Sequence, residues 1–116
     1  MLHLQTPTMK LIQCIVRREK LDDIVDKLAA VSSGLTVSDV RGHGRQKGRP
    51  MVYRGTEYHM VLLPKVMIEI LAEDNKVEDL LKVVLEAART GEIGDGRIFV
   101  LPVEESYHIR SGFMIL

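Results

Sequence analysis

Two helical stripes, each set between strand-like runs, constrain the fold of this chain more than any other feature. Leu21, Ile24, Val25 and Leu28 fall at i, i+3, i+4 and i+7, and Val77, Leu80, Leu81, Val84, Leu85 and Ala88 repeat the pattern. That spacing gathers apolar side chains on one face of an α-helix. The second stripe follows Glu73 and Asp74, an acidic start that suits the positive end of a helix. Ahead of the first stripe, Leu11, Ile12, Cys14, Ile15 and Val16 form a short apolar run that predicts a buried strand. After it, Ser32-Ser33-Gly34 marks a stop, and Leu35 to Val40 alternates apolar with polar residues as a strand does. Tyr58 to Leu71 is apolar and β-branched again, interrupted at Pro64-Lys65. Proline lacks the ladder donor, so a bulge, a bend or an edge is expected there. Arg97 to Val103 reads as the last strand.

The order is β-α-β, a long connection, then β-α-β. That repeat predicts an α+β, ferredoxin-like βαββαβ fold, with four antiparallel strands and two helices on one face. Both faces of the sheet carry apolar residues, for example Val66, Ile68 and Ile70 against Met67 and Leu71. An uncovered apolar face of that size implies an oligomer in which sheets pack on each other. The apolar ending SGFMIL is expected to pack on a neighbour as well. The domain is read as 9–116, with residues 1–8 as an N-terminal extension without the pattern of a signal peptide.

Composition removes several function classes. Lysine plus arginine and aspartate plus glutamate are both 16, so the formal charge is zero, which argues against a general nucleic-acid binder. Cys14 is the single cysteine, so neither an intrachain disulfide nor a cysteine metal cluster is expected, and an intracellular setting follows. His3, His43 and His59 lack metal-ligand spacing. No GxSxG, HExxH or P-loop lysine motif appears, and Glu104 and Glu105 would face opposite sides of a strand. An enzyme is not indicated.

Three segments carry chemistry. TGEIGDGRIFVL, from Thr90 to Leu101, places Gly91, Gly94 and Gly96 between a helix and a strand, with Arg97 next. Such a loop can turn backbone amides onto one anion. The competing reading is a helix cap at Gly91 followed by an Asp95-Gly96 turn. The second segment, 42–57, fits no helix or strand pattern and reads as a long structureless loop. With its flank it carries Arg41, Arg45, Lys47, Arg49 and Arg54, five cations within fourteen residues, a density that suits phosphate or carboxylate ligands or a solvated basic loop. The third is His108-Ile109-Arg110, where strand alternation would put His108 and Arg110 on one face.

RGHGRQKGRPMVYRGTEY, then LPKVMIEI, then ARTGEIGDGRIFVLPVE, in this order and spacing, resembles the PII nitrogen-regulatory signal-transduction proteins. The likeness runs from Met9 to Arg110 and includes the family's YRG-x-EY and TG-x-IGDG stretches. It implies a trimer that binds ATP or ADP in clefts between subunits. A T-loop, here about Gly44 to Glu57, lies between strands 2 and 3 of the βαββαβ order. The B-loop is Thr90 to Arg97, and the C-loop is near His108 to Arg110.

The resemblance implies that Gly42, Arg45, Gln46, Gly94, Asp95, Gly96 and Arg97 line the phosphates, that His108 stands at a further phosphate contact, and that Thr90 and Arg110 also bind the nucleotide. Thr36, Glu69 and Leu71 match positions near the adenine and ribose. Gln46 would complete a Mg²⁺ site with the phosphates and 2-oxoglutarate, and Lys65 would pair with a carboxylate of that ligand. Its other contacts would come from the backbone near Gly44, Gly48 and Gly94. Tyr58 matches the family's uridylylated tyrosine, which makes a uridylyltransferase an implied partner. Tyr53 and Arg54 match target contacts, the arginine entering the pore of an ammonium channel; nitrogen-assimilation enzymes are the other implied targets. The implied location is the cytoplasm, with recruitment to the membrane by a channel. Several positions depart from the common pattern: Arg97 stands in place of lysine, His108 in place of arginine and His43 in place of an aromatic or aliphatic residue, Pro50-Met51-Val52 makes the T-loop less polar than usual, and SGFMIL lacks the usual acidic ending. A sensor with a different effector or target therefore stays open, as does a slow ATPase.

Overall fold

The computed structural model describes residues 8–32, 34–45, 51–53, 56–58 and 60–114. Within these, only the backbone of 44, 45, 51–53, 56–58, 60 and 61 is described. The strands are β1 (Met9–Arg17), β2 (Thr36–Arg45), β3 (Met51–Tyr53), β4 (Thr56–Tyr58), β5 (Met60–Glu73) and β6 (Gly96–Val103). The helices are α1 (Leu21–Ala29) and α2 (Val77–Ala88), each entered through a 3₁₀ turn, Arg18–Lys20 and Asp74–Lys76. β2, β5, β1 and β6 lie side by side in that order, all pairs antiparallel. This is the α+β, ferredoxin-like arrangement that the order of elements implied.

One face of the sheet is closed by the two helices. Ile12, Cys14 and Val16 of β1, Val66, Ile68 and Ile70 of β5, Ile24 and Leu28 of α1, and Leu80 and Val84 of α2 form one buried core. Removing each aliphatic side chain from water contributes about 1.5–3 kcal/mol. These are the residues that the helical stripes and strand alternation bring to one side. Neither helix has a side-chain N-cap. Instead, Asp22 and Asp23 in α1, and Glu78 and Asp79 in α2, place negative charge in the first turn. Glu73 ends β5, so the acidic start of the second helix lies a turn later than expected.

The long connection needs correction. β2 continues to Arg45, and β3 pairs with β4 in a separate two-stranded sheet, Tyr53 opposite Thr56. Gly42, His43 and Gly44 lack the apolar side chains that mark a strand, yet their backbones pair with Leu63, Leu62 and Val61. A ladder needs main-chain partners, which the long β5 provides, rather than apolar side chains. Pro64 does not bulge the strand, since the β2–β5 register runs through it. It lies one residue past Lys65, the last β5 residue to pair with β1, so β5 is paired on one side there and the edge expectation holds.

The opposite face is open in the single chain. Leu11, Ile15, Met67 and Leu71 are half-buried on it, and Phe99 and Leu101 are exposed. A hydrogen bond from Gln13 Nε2 to Glu69 Oε2 (3.1 Å) interrupts this apolar surface. Thr8, read as part of the N-terminal extension, accepts a bond from the Asp74 amide (3.0 Å), and its hydroxyl donates to the Asp74 carboxylate. Among the described residues no helix is long and apolar enough to cross a membrane.

Candidate functional site

The loop between α2 and β6 is built around its own carboxylate. Asp95 Oδ2 accepts from the amides of Thr90 (2.9 Å) and Gly91 (2.8 Å), and Oδ1 accepts from the Thr90 hydroxyl. The Thr90 hydroxyl oxygen in turn accepts from the Glu92 amide at 3.1 Å. These bonds hold the Asp95 carboxyl well below the usual carboxylate range. The Thr90 hydroxyl has the largest effect, then its amide; Gly91 and Arg17 add to it, and partial desolvation opposes it. The helix-cap reading of Gly91 is corrected. α2 ends at Ala88, Arg89 is already extended, and the Gly91 amide bonds forward to Asp95. The anion that Thr90 and Gly91 cradle is thus the chain's own Asp95.

Two cations reach this loop from adjacent strand ends. Arg17 of β1 and Lys65 of β5 are direct register partners, a placement that costs energy for like charges unless both find acceptors. Both do. Arg17 Nε donates to Asp95 Oδ1 at 3.1 Å, an Arg17 Nη donates to the Ile93 carbonyl at 2.9 Å, and Lys65 Nζ donates to the Gly94 carbonyl at 2.6 Å. Gly42 lies on the same face and leaves room for the lysine stem, since a Cβ there would stand 3.1 Å from Lys65 Cγ. Arg97, opposite Ile15, projects from that face and is exposed. Among the described residues, neither Lys65 nor Arg97 has an ion-pair partner. Two cations without carboxylate partners beside a glycine loop are the kind of arrangement that can attract an anion.

The second group lies toward the other end of the sheet. Thr36, Glu69, Leu71 and His108, with Met9 and Lys76, line a cleft of about 890 Å³. Glu69 and Lys65 are four residues apart on β5, roughly 13 Å along a strand. The shared strand face of His108 and Arg110 is corrected, because β6 ends at Val103. The His108 amide donates to the Phe113 carbonyl (3.0 Å) and the Gly112 amide to the His108 carbonyl (2.8 Å), closing a turn. Arg110 sits in that turn and is exposed, outside the cleft lining. Glu104 and Glu105 likewise follow the strand, and Glu105 accepts from the Tyr107 hydroxyl at 3.1 Å.

Several expected residues cannot be tied to either group. Gln46, Gly48 and Arg54 lie outside the described residues. Gly44 and Arg45 end β2, Tyr53 ends β3 and Tyr58 ends β4, each placed by its backbone. Arg17 is the residue that sequence reasoning missed. Its contacts lie 76 and 78 positions away, and no local pattern encodes them. The available signal was an aspartate inside a glycine loop, which requires a cation or donors nearby.

Residues 9–113 match the family described as "Nitrogen regulatory protein P-II". Among individual proteins carrying that description, one from Microchaete diplosiphon is 50% identical over 107 residues, covering 90% of this chain and 94% of the relative. Another, from Azospirillum brasilense, is 49% identical over 105 residues with the same coverage, and one from Pasteurella multocida is 48% identical. The fold, the glycine loop and these matches agree, and the chain belongs to the nitrogen regulatory protein P-II family, with a role in nitrogen-regulatory signal transduction.

Proposed function

We propose that the protein senses ATP or ADP together with 2-oxoglutarate and passes the result to a nitrogen-assimilation enzyme or an ammonium channel through the 44–57 loop. The observation that carries this reading is the Lys65 ammonium, held against the Gly94 carbonyl of the glycine loop with no carboxylate partner among the described residues. Arg97 and the Gly94–Gly96 backbone would serve the phosphates, and Lys65 one carboxylate of the oxo acid. Thr36, Glu69, Leu71 and His108 would bound the adenine and ribose. Mg²⁺, when bound, would supply positive charge that offsets the repulsion between the phosphates and the dicarboxylate. Gln46 is the residue assigned to it. Thr90 and Asp95 serve this site by shaping the loop.

The open sheet face supports a homotrimer, whose neighbouring subunits would complete the clefts. The role is one of binding and regulation rather than catalysis, in the cytoplasm or at a channel. Ligands act only through differential affinity for alternative loop arrangements.

Calorimetry with ATP, ADP, Mg²⁺ and 2-oxoglutarate tests this; heat for ATP, and for the oxo acid only when MgATP is present, is expected. No heat with any adenine nucleotide would overturn it. A second reading, a nucleotide sensor with a different effector, is favoured by His108, which lines the cleft where the family commonly carries arginine. Ordinary 2-oxoglutarate binding in the presence of MgATP counts against that reading. Modification of Tyr58 is checked by mass spectrometry of native protein from nitrogen-starved and nitrogen-replete cells, and its absence in both counts against it. Channel docking is checked by Arg54→Ala in a membrane-recruitment assay, where unchanged recruitment rejects insertion of Arg54.

A further inference from the structure

Arg17 makes two bonds that bracket one residue. Its guanidinium holds the carbonyl of Ile93 at 2.9 Å and the carboxylate of Asp95 at 3.1 Å, so Gly94 is gripped from both sides. The same guanidinium covers Gly94, where a Cβ would lie 3.4 Å from an Arg17 Nη. Gly94 itself has φ +100°, a conformation glycine adopts readily, and it has no side chain of its own to help hold the loop. That carbonyl meets Lys65 at 2.6 Å. A planar guanidinium with donors in fixed directions can hold two acceptors in one mutual orientation, which a lysine cannot do.

We propose that Arg17 is a positioning residue for the glycine loop: gripping Ile93 and Asp95, it orients the Gly94 peptide and keeps its carbonyl on Lys65. The ligand part of this inference rests on the function proposed above; the loop part does not. Lys65 is the cation that an incoming carboxylate recruits, so its bond to Gly94 is the tie most exposed to exchange. Arg17, the register partner of Lys65, directs its own donors to Ile93 and Asp95 rather than to the Gly94 carbonyl, so it keeps the loop in place when Lys65 is drawn away. On the function proposed above, the Gly94–Gly96 backbone that would serve the phosphates therefore depends on a side chain whose own bonds go to Ile93 and Asp95.

The test compares Arg17→Gln and Arg17→Lys with the wild-type chain in two measurements: amide hydrogen exchange across 90–97 without ligand, and ATP affinity by calorimetry. Arg17→Gln removes a charge-assisted pair and is expected to raise exchange at the loop amides and weaken ATP about tenfold, with exchange in the β1–β5 core unchanged. Arg17→Lys, which restores charge without the planar fork, is expected to recover only part of both losses. Wild-type loop exchange in Arg17→Gln, or full recovery by lysine, overturns the proposal. Should the glutamine variant fail to fold, the lysine variant decides alone, and wild-type behaviour in both measurements overturns it. If the wild-type chain binds no adenine nucleotide, the functional reading fails, while loop exchange still decides the role of Arg17.

Discussion

Gly96 passes so close to β1 that a Cβ on it would stand 1.8 Å from the Ile15 carbonyl oxygen. Its φ of +111° is one that side chains rarely adopt, so both steric space and backbone conformation demand glycine there. Gly96 begins β6 and pairs with Val16, which anchors the glycine loop directly to the central strands. Gly96→Ala is expected to destabilise the fold by about 3 kcal/mol, from strain plus overpacking. Gly34→Ala, where nothing lies within 4 Å, is expected to stay within about 0.5 kcal/mol of the wild-type chain. Urea denaturation of the two variants checks the contrast.

Asp95 makes loop stability depend on pH. Its carboxyl lies below the unfolded value of about 3.9 because Thr90, Gly91 and Arg17 favour the ionised form. A group with a depressed folded value contributes stability above the unfolded value, and that contribution is lost as pH falls toward the folded one. Asp95→Asn is therefore expected to lower the melting temperature at pH 7 and to flatten its decline below about pH 4. Thermal melts from pH 7 to pH 2 check this; parallel curves for both proteins would contradict it.

Cys14 faces the core, fully buried, and burial pushes its thiol up to about 11. Only the thiolate reacts quickly, so Cys14 is expected to resist alkylation at pH 8 in the folded protein. Labelling is expected at the rate of opening, and at the rate of a free thiol in denaturant. Native-state alkylation followed by mass spectrometry measures it.

Phe99 lies on the open sheet face and is 42% exposed in the single chain. Phe99→Asp is expected to preserve secondary structure while abolishing assembly, because it places a charge where a second sheet would pack. Sedimentation of the variant beside the wild-type chain gives the result. An unchanged oligomer would remove this face from the interface.

Ile68 is fully buried between the helices and the sheet. Ile68→Ala is expected to cost about 2–5 kcal/mol through lost transfer energy and a residual cavity. Urea unfolding, with Val31→Ala as an exposed control, measures the difference.

The amino-acid sequence by itself determined the two helices and the order of the four main strands around them. Those features follow from periodicity, which is local: Leu21 to Leu28 and Leu80 to Ala88 reveal their apolar faces without reference to anything distant. The glycine loop by itself was open to two readings, an anion nest or a cap and turn, and the family resemblance pointed to the first. Tertiary structure decided the rest. β2 extends through Gly42 and Gly44 because β5 is long enough to pair with them, a fact about the partner strand. His108 enters a cleft while Arg110 stays outside because a turn replaces the expected strand. The scaffold of the glycine loop comes from Arg17 and Lys65, brought side by side by the β1–β5 register. Long-range hydrogen bonds and strand register join residues with no shared local pattern, and only the folded chain specifies them.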